Sequence, residues 1–167
     1  MLFGTNIYTV WNKLNNMRSY FKYKKIWSWP RSVENFIFTK AKGFTLHVCS
    51  GQSKIGNVKV DLYEDCDVRA DMCSLPFKPG VFDTVICDPP WKIRSALRGR
   101  LLCELRDVLR PEGVLILNST WLPAIPGLVI KEIWARVINR YWGNVTLITV
   151  AKRIKQPIQE QLKGGNL

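Results

Sequence analysis

The sequence predicts an α/β fold with a mostly parallel sheet. Three short apolar segments, at residues 45–49, 57–62 and 82–87, have the length and β-branched content of buried strands, and turn-forming residues separate them. Acidic residues stand near the end of one segment and directly after another, at Asp61 and Asp88. Because ligands of open α/β sheets bind at the carboxyl ends of the strands, this pattern predicts a ligand site where the two acids meet.

The turn after the first strand has the composition of a ligand-binding loop but is short. Residues 50–56 are mostly small or polar, and Gly51 permits a close approach of the backbone to a ligand. Only residues 52–57 separate this glycine from the second strand, whereas a crossover between parallel strands usually needs about a dozen residues. We therefore expect the first crossover helix to be shortened or absent.

The segment Asp88-Pro89-Pro90-Trp91 closes the strand at residues 82–87. The paired prolines exclude both helix and strand pairing beyond Asp88, so the chain must turn there. One interpretation is an ordinary Pro-Pro turn with a capping aspartate. The other is a site that holds a flat base by its amino group, since the segment puts a carboxylate, a rigid turn and an aromatic face at one strand end.

The C-terminal part of the chain is predicted to complete the sheet. Apolar residues at helical spacing over residues 101–109 predict a helix that ends at the following Pro-x-Gly. By periodicity, residues 129–138 fit either a helix or a strand. Residues 145–150 fit a final strand that follows a turn.

In this order and spacing, the motifs resemble those of class I S-adenosylmethionine-dependent methyltransferases of the amino-methylating type. The resemblance extends over about residues 45–121 and rests on Val48-Cys49-Ser50-Gly51, Val60-Asp61, Ala70-Asp71-Met72, Asp88-Pro89-Pro90-Trp91 and residues 109–117. It implies a Rossmann-like, mostly parallel sheet with an antiparallel C-terminal strand, which favours a strand for residues 129–138. It also implies S-adenosylmethionine as cofactor and S-adenosylhomocysteine as product.

The resemblance assigns roles to individual residues. It implies cofactor contacts from Cys49, Ser50, Gly51, Asp61, Asp71, Met72 and Asp88, and a catalytic group formed by Asp88, Pro89, Pro90 and Trp91. An exocyclic amine attacks a methyl sulfonium poorly, because its lone pair is delocalised into the ring. Asp88 and the Pro89 carbonyl would each accept one amino hydrogen and localise that lone pair, and Trp91 would stack on the base.

The charge of the chain favours a polyanionic partner. Lys and Arg number 25 against 13 Asp and Glu, which gives a net charge of +12. The candidate substrate-binding cations are Lys92, Arg94, Arg98 and Arg100 after the catalytic motif, and Lys22, Lys24 and Lys25 among N-terminal aromatic residues. Cations bind phosphate while aromatic faces stack on unpaired bases, but the same aromatic residues can equally anchor an N-terminal arm onto the sheet.

The expected reaction is methylation of adenine N6 or cytosine N4 in structured RNA, with ribosomal RNA as first choice. RNA is favoured over DNA because the chain has no residues to spare for a separate target-recognition region, and unpaired RNA bases are splayed out at low cost. The alternatives are a DNA amino methyltransferase, a protein-glutamine methyltransferase and a non-catalytic RNA-binding subunit. Asp88 and the positive charge argue against the second alternative. The shortened glycine loop favours the third, whereas the presence of Asp61, Asp71 and Asp88 argues against it.

Length and composition predict a single domain over residues 1–155, and the resemblance implies that it is a methyltransferase domain. Residues 1–42 would form a basic, aromatic N-terminal extension, residues 43–155 the core, and residues 156–167 a flexible tail. With no signal segment and no apolar run long enough for a membrane span, we expect a soluble, cytoplasmic protein without a membrane partner. The oligomeric state is left open, with a monomer favoured.

Cysteine and histidine usage points away from a metal site. The five cysteines form no Cys-x-x-Cys pair, and the single histidine, His47, lies within a predicted strand. Cys49 and Cys87 fall within predicted strands and are expected to be small buried thiols rather than nucleophiles or disulfide partners.

Overall fold

The structure is a computed structural model, and it describes residues 29–90, 93–139 and 144–154. Within these ranges the chain forms two helices and a seven-stranded sheet. The elements are α1 (Arg31–Lys40), β1 (Thr45–Val48), β2 (Val58–Asp61), β3 (Val68–Arg69), β4 (Phe82–Cys87), α2 (Ser95–Val108), β5 (Leu109–Ser119), β6 (Leu128–Asn139) and β7 (Asn144–Arg153). Neither described helix has the length and apolar character needed to cross a membrane.

The sheet confirms the predicted α/β architecture. Its strand order is β3-β2-β1-β4-β5-β7-β6, with parallel pairs from β3 to β5 and antiparallel pairs on both sides of β7. The ambiguous segment at residues 129–138 is a strand, β6, which pairs with β7 along its length. Pairing with a neighbouring strand therefore overrides the helical spacing of its apolar residues.

The first crossover helix is absent, as the short spacing predicted. β1 and β2 are parallel neighbours, and the structure describes turns rather than a helix between Val48 and Val58. Two backbone hydrogen bonds hold this loop against the strands, from Ser50 N to Val60 O at 3.1 Å and from Asn57 N to Thr45 O at 2.8 Å. The loop thus makes the connection that a helix usually makes, and it stays close to the strand ends.

The helix α1 was not predicted, although its sequence carries helix signals. Pro30 stands at its N-cap with an extended backbone, Glu34 lies in the first turn and Lys40 in the last turn. Its buried residues Val33 and Ile37 pack on one face of the sheet in a cluster that also contains Trp29, Ile55, Ile86, Ile116 and Ile148. Trp29 is therefore a core residue, as expected if the N-terminal aromatic residues anchor this part of the chain onto the sheet.

The helix α2 covers the opposite face of the sheet. Leu101, Leu102, Leu105 and Val108 are buried at the helical spacing that predicted this element, and they pack with residues of β4 and β5. The helix begins earlier than its apolar spacing indicated, at Ser95. It leads directly into β5, whose pairing with β4 shifts register between Phe82 and Thr84. The predicted Pro-x-Gly turn is this irregular start of β5.

Candidate functional site

A pocket with a volume of about 290 Å³ opens at the carboxyl ends of β1, β2 and β4. Its lining residues are Cys49, Gly51, Asp61, Tyr63, Glu64, Asp88, Pro89 and Pro90. The fold therefore brings the glycine turn, the acid of the second strand and the Asp-Pro-Pro motif to one site, as expected for the strand ends of an α/β sheet. Tyr63 and Glu64 were not predicted, although they directly follow the acid-bearing strand.

The glycine turn after β1 has an unusual backbone. Cys49 and Gly51 both have positive φ angles, 55° and 52°, in the left-handed region that favours glycine. A cysteine in this conformation is uncommon, and such local strain concentrates at functional sites. Ser50 between them is fully buried and does not line the pocket, while the Gly51 N–H points to the carboxylate of Asp61.

Asp61 ends β2, and backbone N–H donors hold its carboxylate. Gly51 N donates to Oδ2 at 2.9 Å, and Tyr63 N and Glu64 N donate to Oδ1 at 3.0 and 3.2 Å. Burial raises the pKa of Asp61, but hydrogen bonds from Tyr63, Gly51, Glu64 and Leu62 outweigh burial, so that the pKa lies below its ordinary value. The side chain is thus an ionised acceptor, and Oδ2 has capacity for a further donor.

Asp88 directly follows β4 and is more deeply buried, with 6% of its surface exposed. Asn118 Nδ2 donates to Asp88 Oδ1 at 2.9 Å. The backbone N–H of Asp88 donates to Val48 O at 3.3 Å, which joins the end of β4 to the end of β1. Asn118 lies in β5 and was not predicted, because its proximity to Asp88 depends on the pairing of β4 with β5.

Asp71 and Met72 lie beside the pocket rather than on its walls. Asp71 Oδ1 accepts a hydrogen bond from Cys73 N at 2.8 Å, and Asp71 O accepts one from Ser74 N at 2.9 Å. Met72 Sδ lies 3.5 Å from Cys49 Sγ, so that Met72 contacts the glycine turn. The role of both residues in cofactor binding stays a prediction.

Cys49, which lines the pocket, lies close to two further cysteines, Cys73 and Cys87. Burial raises the pKa of the Cys73 thiol, and burial together with the neighbouring Cys49 raises the pKa of the Cys87 thiol well above its ordinary value. Both thiols therefore stay protonated at neutral pH. No three His, Cys, Asp or Glu side chains are grouped to hold a metal ion in the part of the chain that the structure describes.

The predicted substrate-binding cations have different environments. The Arg98 guanidinium lies 5.2 Å from the ring centre of Trp121, and Arg100 Nε donates to Cys73 O at 2.9 Å. Arg94 is exposed at the N-cap of α2. The remaining predicted residues, Trp91, Lys92, Lys22, Lys24 and Lys25, lie outside the described residues.

A further cation lies on the same face of the sheet as Asp88, in the edge strand β6. Arg136 in β6 is half-buried, and burial lowers its pKa while the charge of Asp88 raises it. Strand alternation explains this arrangement. Arg136 lies two residues from Trp134 and Asn118 lies two residues from Ile116, and both of these partners belong to the cluster under α1. Arg136 was not predicted, because periodicity alone did not identify β6 as a strand.

The comparisons with known proteins bear on the fold. No family model and no curated protein matches the sequence. A SAM-dependent methyltransferase from Methanosarcina mazei has 11% sequence identity and a TM-score of 0.52, over 72% of this chain and 98% of that chain. TrmN from Thermus thermophilus has 17% identity and a TM-score of 0.54, over 74% of this chain and 48% of that one.

A third solved structure carries the product of the expected cofactor. The 1,6-didemethyltoxoflavin-N1-methyltransferase from Burkholderia thailandensis, with bound S-adenosylhomocysteine, has 12% identity and a TM-score of 0.55 over 74% of this chain and 76% of that chain. These similarities, together with the strand order, show that the chain has the Rossmann-like fold of class I methyltransferases.

Proposed function

We propose that this protein is a S-adenosylmethionine-dependent methyltransferase that methylates an exocyclic base amino group, adenine N6 or cytosine N4, in RNA. The observation that carries the proposal is the shared pocket of Asp61 and Asp88 at adjoining strand ends of this fold. One carboxylate is suited to a sugar hydroxyl, and the other is followed by a rigid Pro-Pro turn. The fold alone does not carry the proposal, because one fold hosts many activities.

The residues beside β1 and β2 fit the cofactor. Asp61 is ionised and keeps acceptor capacity on Oδ2, which suits a ribose hydroxyl. Tyr63 is 84% exposed beside it and offers an aromatic face to a planar base. The positive φ of Gly51 keeps the backbone close to the pocket. When bound, the cofactor supplies an electrophilic methyl group.

The residues beside β4 fit the amino group that receives the methyl. The buried carboxylate of Asp88 accepts one amino hydrogen, and the carbonyl of Pro89 accepts the other. Proline cannot donate from its nitrogen, so the turn offers acceptors with a fixed geometry. Both acceptors act in a site from which water is partly excluded, where such interactions are stronger than in water. Positioning of the amine is thus the main contribution of the protein to the reaction.

The charge of the chain supports a nucleic acid substrate. A net charge of +12 attracts phosphates, and Arg94 and Arg98 lie at the start of α2, directly after the catalytic motif. Trp91 is proposed to stack on the target base. The substrate could instead be a small heteroaromatic molecule, as the name of the Burkholderia thailandensis enzyme indicates for that protein.

The test incubates the purified protein with isotopically labelled S-adenosylmethionine and either total RNA or genomic DNA, followed by mass spectrometry of the nucleosides. We expect label in N6-methyladenosine or N4-methylcytidine from the RNA. Label in DNA alone would show that the substrate is DNA and not RNA. Transfer to neither polymer would contradict the proposal.

The Asp88→Ala variant tests the assignment of the site. It should lose methyl transfer and retain binding of S-adenosylhomocysteine in calorimetry, because Asp88 acts on the amine. Asp65→Ala is the matched control, since Asp65 is an exposed acid close to the same strand ends. Transfer at the wild-type rate by Asp88→Ala would show that another group accepts the amino hydrogen.

A further inference from the structure

The hydrogen bond between Asn118 and Asp88 joins two buried side chains from different strands. Asn118 is 2% exposed and Asp88 is 6% exposed, and Nδ2 lies 2.9 Å from Oδ1. Cys87 pairs with Leu117 in the parallel ladder, so the two side chains follow that pair at adjacent positions. The contact is therefore built by the sheet register and does not depend on a loop conformation.

We propose that Asn118 is a positioning residue that holds the carboxylate of Asp88 oriented and ionised as the acceptor for the substrate amino group. This inference rests on the proposed function, since it assigns to Asn118 an action through Asp88. It extends the site from the Asp-Pro-Pro motif into β5, where no sequence motif indicated a functional residue.

The hydrogen-bonding chemistry fixes the orientation of the Asn118 amide. An ionised carboxylate only accepts hydrogen bonds, so the NH₂ group of Asn118 must face Asp88. The amide oxygen is buried without a hydrogen-bond partner among the described residues. An unpaired buried acceptor costs stability, so an amide is a poor choice for packing alone at this position. The bond to Asp88 is the interaction that explains an asparagine here.

The groups around Asp88 determine how its charge is balanced. Cys49 faces it from the turn after β1, Cys87 precedes it in β4, Asp61 lies across the pocket, and Arg136 faces it from β6. The thiol of Cys87 stays protonated, and Asp61 is an anion. Asn118 donates a hydrogen bond to the Asp88 carboxylate, and the positive charge of Arg136 attracts it.

The most informative variant is Asn118→Asp, which puts a second carboxyl group within hydrogen-bond distance of Asp88. Two such groups cannot both ionise readily, so they share a proton and titrate as a pair. We expect the acidic limb of the pH profile of kcat to move upward by at least about one pH unit, with partial recovery of transfer at high pH. Initial rates with labelled S-adenosylmethionine and saturating total RNA measure this shift.

Two further variants separate positioning from folding. Asn118→Ala should lower kcat about tenfold or more, with little change in the KM for S-adenosylmethionine, and Asn118→Ser should restore part of the loss because it retains a donor. Thr149→Val is the matched control. Thr149 is buried in β7, and its hydroxyl also has no hydrogen-bond partner within the described part of the chain. Strand alternation turns it away from the face of Asn118.

A titration of Asp88 decides the inference independently of the proposed function. Nuclear magnetic resonance of protein labelled with ¹³C-aspartate should show a higher pKa for Asp88 in Asn118→Ala than in the wild type, whether or not any substrate is methylated. If the titration is unchanged, Asn118 does not act on Asp88. If the Asn118 variants and Thr149→Val lose transfer and thermal stability in parallel, with one common pH profile, Asn118 has only a structural role. A shifted titration without methyl transfer to any polymer would contradict the proposed function alone.

Discussion

Asp61 and Asp88 line the same pocket but are held by different means. The carboxylate of Asp61 accepts N–H groups of Gly51, Tyr63 and Glu64, which all lie within ten residues of it along the chain. The carboxylate of Asp88 accepts a hydrogen bond from the side-chain amide of Asn118, which lies 30 residues away along the chain. One acid is therefore part of the local turn structure, and the other depends on the assembled sheet.

This difference indicates that the two acids have different roles in the pocket. Because Asp61 holds two turns together, a substitution there should alter the shape of the region that we assign to the cofactor. The carboxylate of Asp88 accepts its hydrogen bond from a side chain and not from a backbone N–H group. A substitution of Asp88 can therefore remove the charge while the backbone stays in place. The two acids should thus separate cofactor binding from methyl transfer.

The largest effect is expected from Asp88→Asn, which preserves the size of the side chain and removes its charge. Loss of a single preorganised group in a catalytic site typically costs about 10²–10³ in rate, and we expect a loss of that size in single-turnover methyl transfer. The dissociation constant of S-adenosylhomocysteine, measured by calorimetry, should change less than about threefold. A large loss of cofactor affinity would instead put Asp88 on the cofactor side of the comparison.

The pH dependence of the free energy of unfolding should depend on His47, whose pKa is influenced by the charge of Asp61. His47 is fully buried in β1 with Nδ1 3.2 Å from Ile55 O. Burial lowers the pKa of His47 from its ordinary 6.5 to about 4, although the Ile55 bond and the charge of Asp61 act in the opposite direction. The unfolded chain therefore binds more protons between these values, and the free energy of unfolding should fall as the pH drops from about 6.5 to about 4.

The size of this effect is about 3 kcal/mol, because the pKa of His47 falls from 6.5 to about 4 and each pKa unit corresponds to about 1.36 kcal/mol. Urea unfolding at several pH values measures it, with His47→Gln as the control that should flatten this part of the pH dependence. Asp61→Asn should extend the contribution of His47 to lower pH, because the charge that favours a protonated His47 is removed. An equal slope in the wild type and in His47→Gln would show that His47 does not cause the acid sensitivity.

The Asp61→Asn variant is expected to weaken cofactor binding by about 10- to 100-fold, since a hydrogen bond to a charged group is worth about 1.5–3 kcal/mol. The new NH₂ group must also face an N–H donor, of Gly51 or of Tyr63 and Glu64, which loosens one of the two turns. Calorimetry with S-adenosylhomocysteine measures the affinity. The rate at saturating S-adenosylmethionine should stay within a few-fold of the wild-type rate. A rate loss as large as that of Asp88→Asn would contradict the proposal that Asp61 acts in cofactor binding and Asp88 in methyl transfer.

The comparison also explains which parts of the molecule could be predicted from the sequence. Asp61 and Asp88 were identified because each ends a short apolar run, and strand ends in α/β sheets meet at one edge. The Pro-Pro segment was informative because proline acts locally on the backbone. Tyr63 and Glu64 have no comparable signal, since their position in the pocket follows from the turn that their N–H groups make with Asp61.

Asn118 and Arg136 could not be predicted, because their relation to Asp88 depends on strand order and register. Asn118 is the neighbour of Asp88 only because β5 pairs with β4, and Arg136 faces the same side only because its segment is a strand. Periodicity left residues 129–138 undecided, and the strand was favoured through the family resemblance. The helix α1 was missed for another reason, as its charge signals at Glu34 and Lys40 were present but the region was interpreted as an extension.

The smallest effect is expected from Arg98 and Arg100 of α2, two predicted substrate-binding residues that lie one helical half-turn apart. The guanidinium of Arg98 lies over the ring of Trp121, whereas Arg100 donates a hydrogen bond to the backbone carbonyl of Cys73. We expect Arg98→Ala to weaken binding of a labelled single-stranded RNA oligonucleotide a few-fold and to reduce the salt dependence of the affinity by about one counterion. Arg100→Ala should leave that dependence unchanged and lower the melting temperature, because its side chain supports the loop around Cys73. Fluorescence anisotropy at several salt concentrations distinguishes the two, and equal losses of RNA affinity would assign both arginines to the nucleic acid surface.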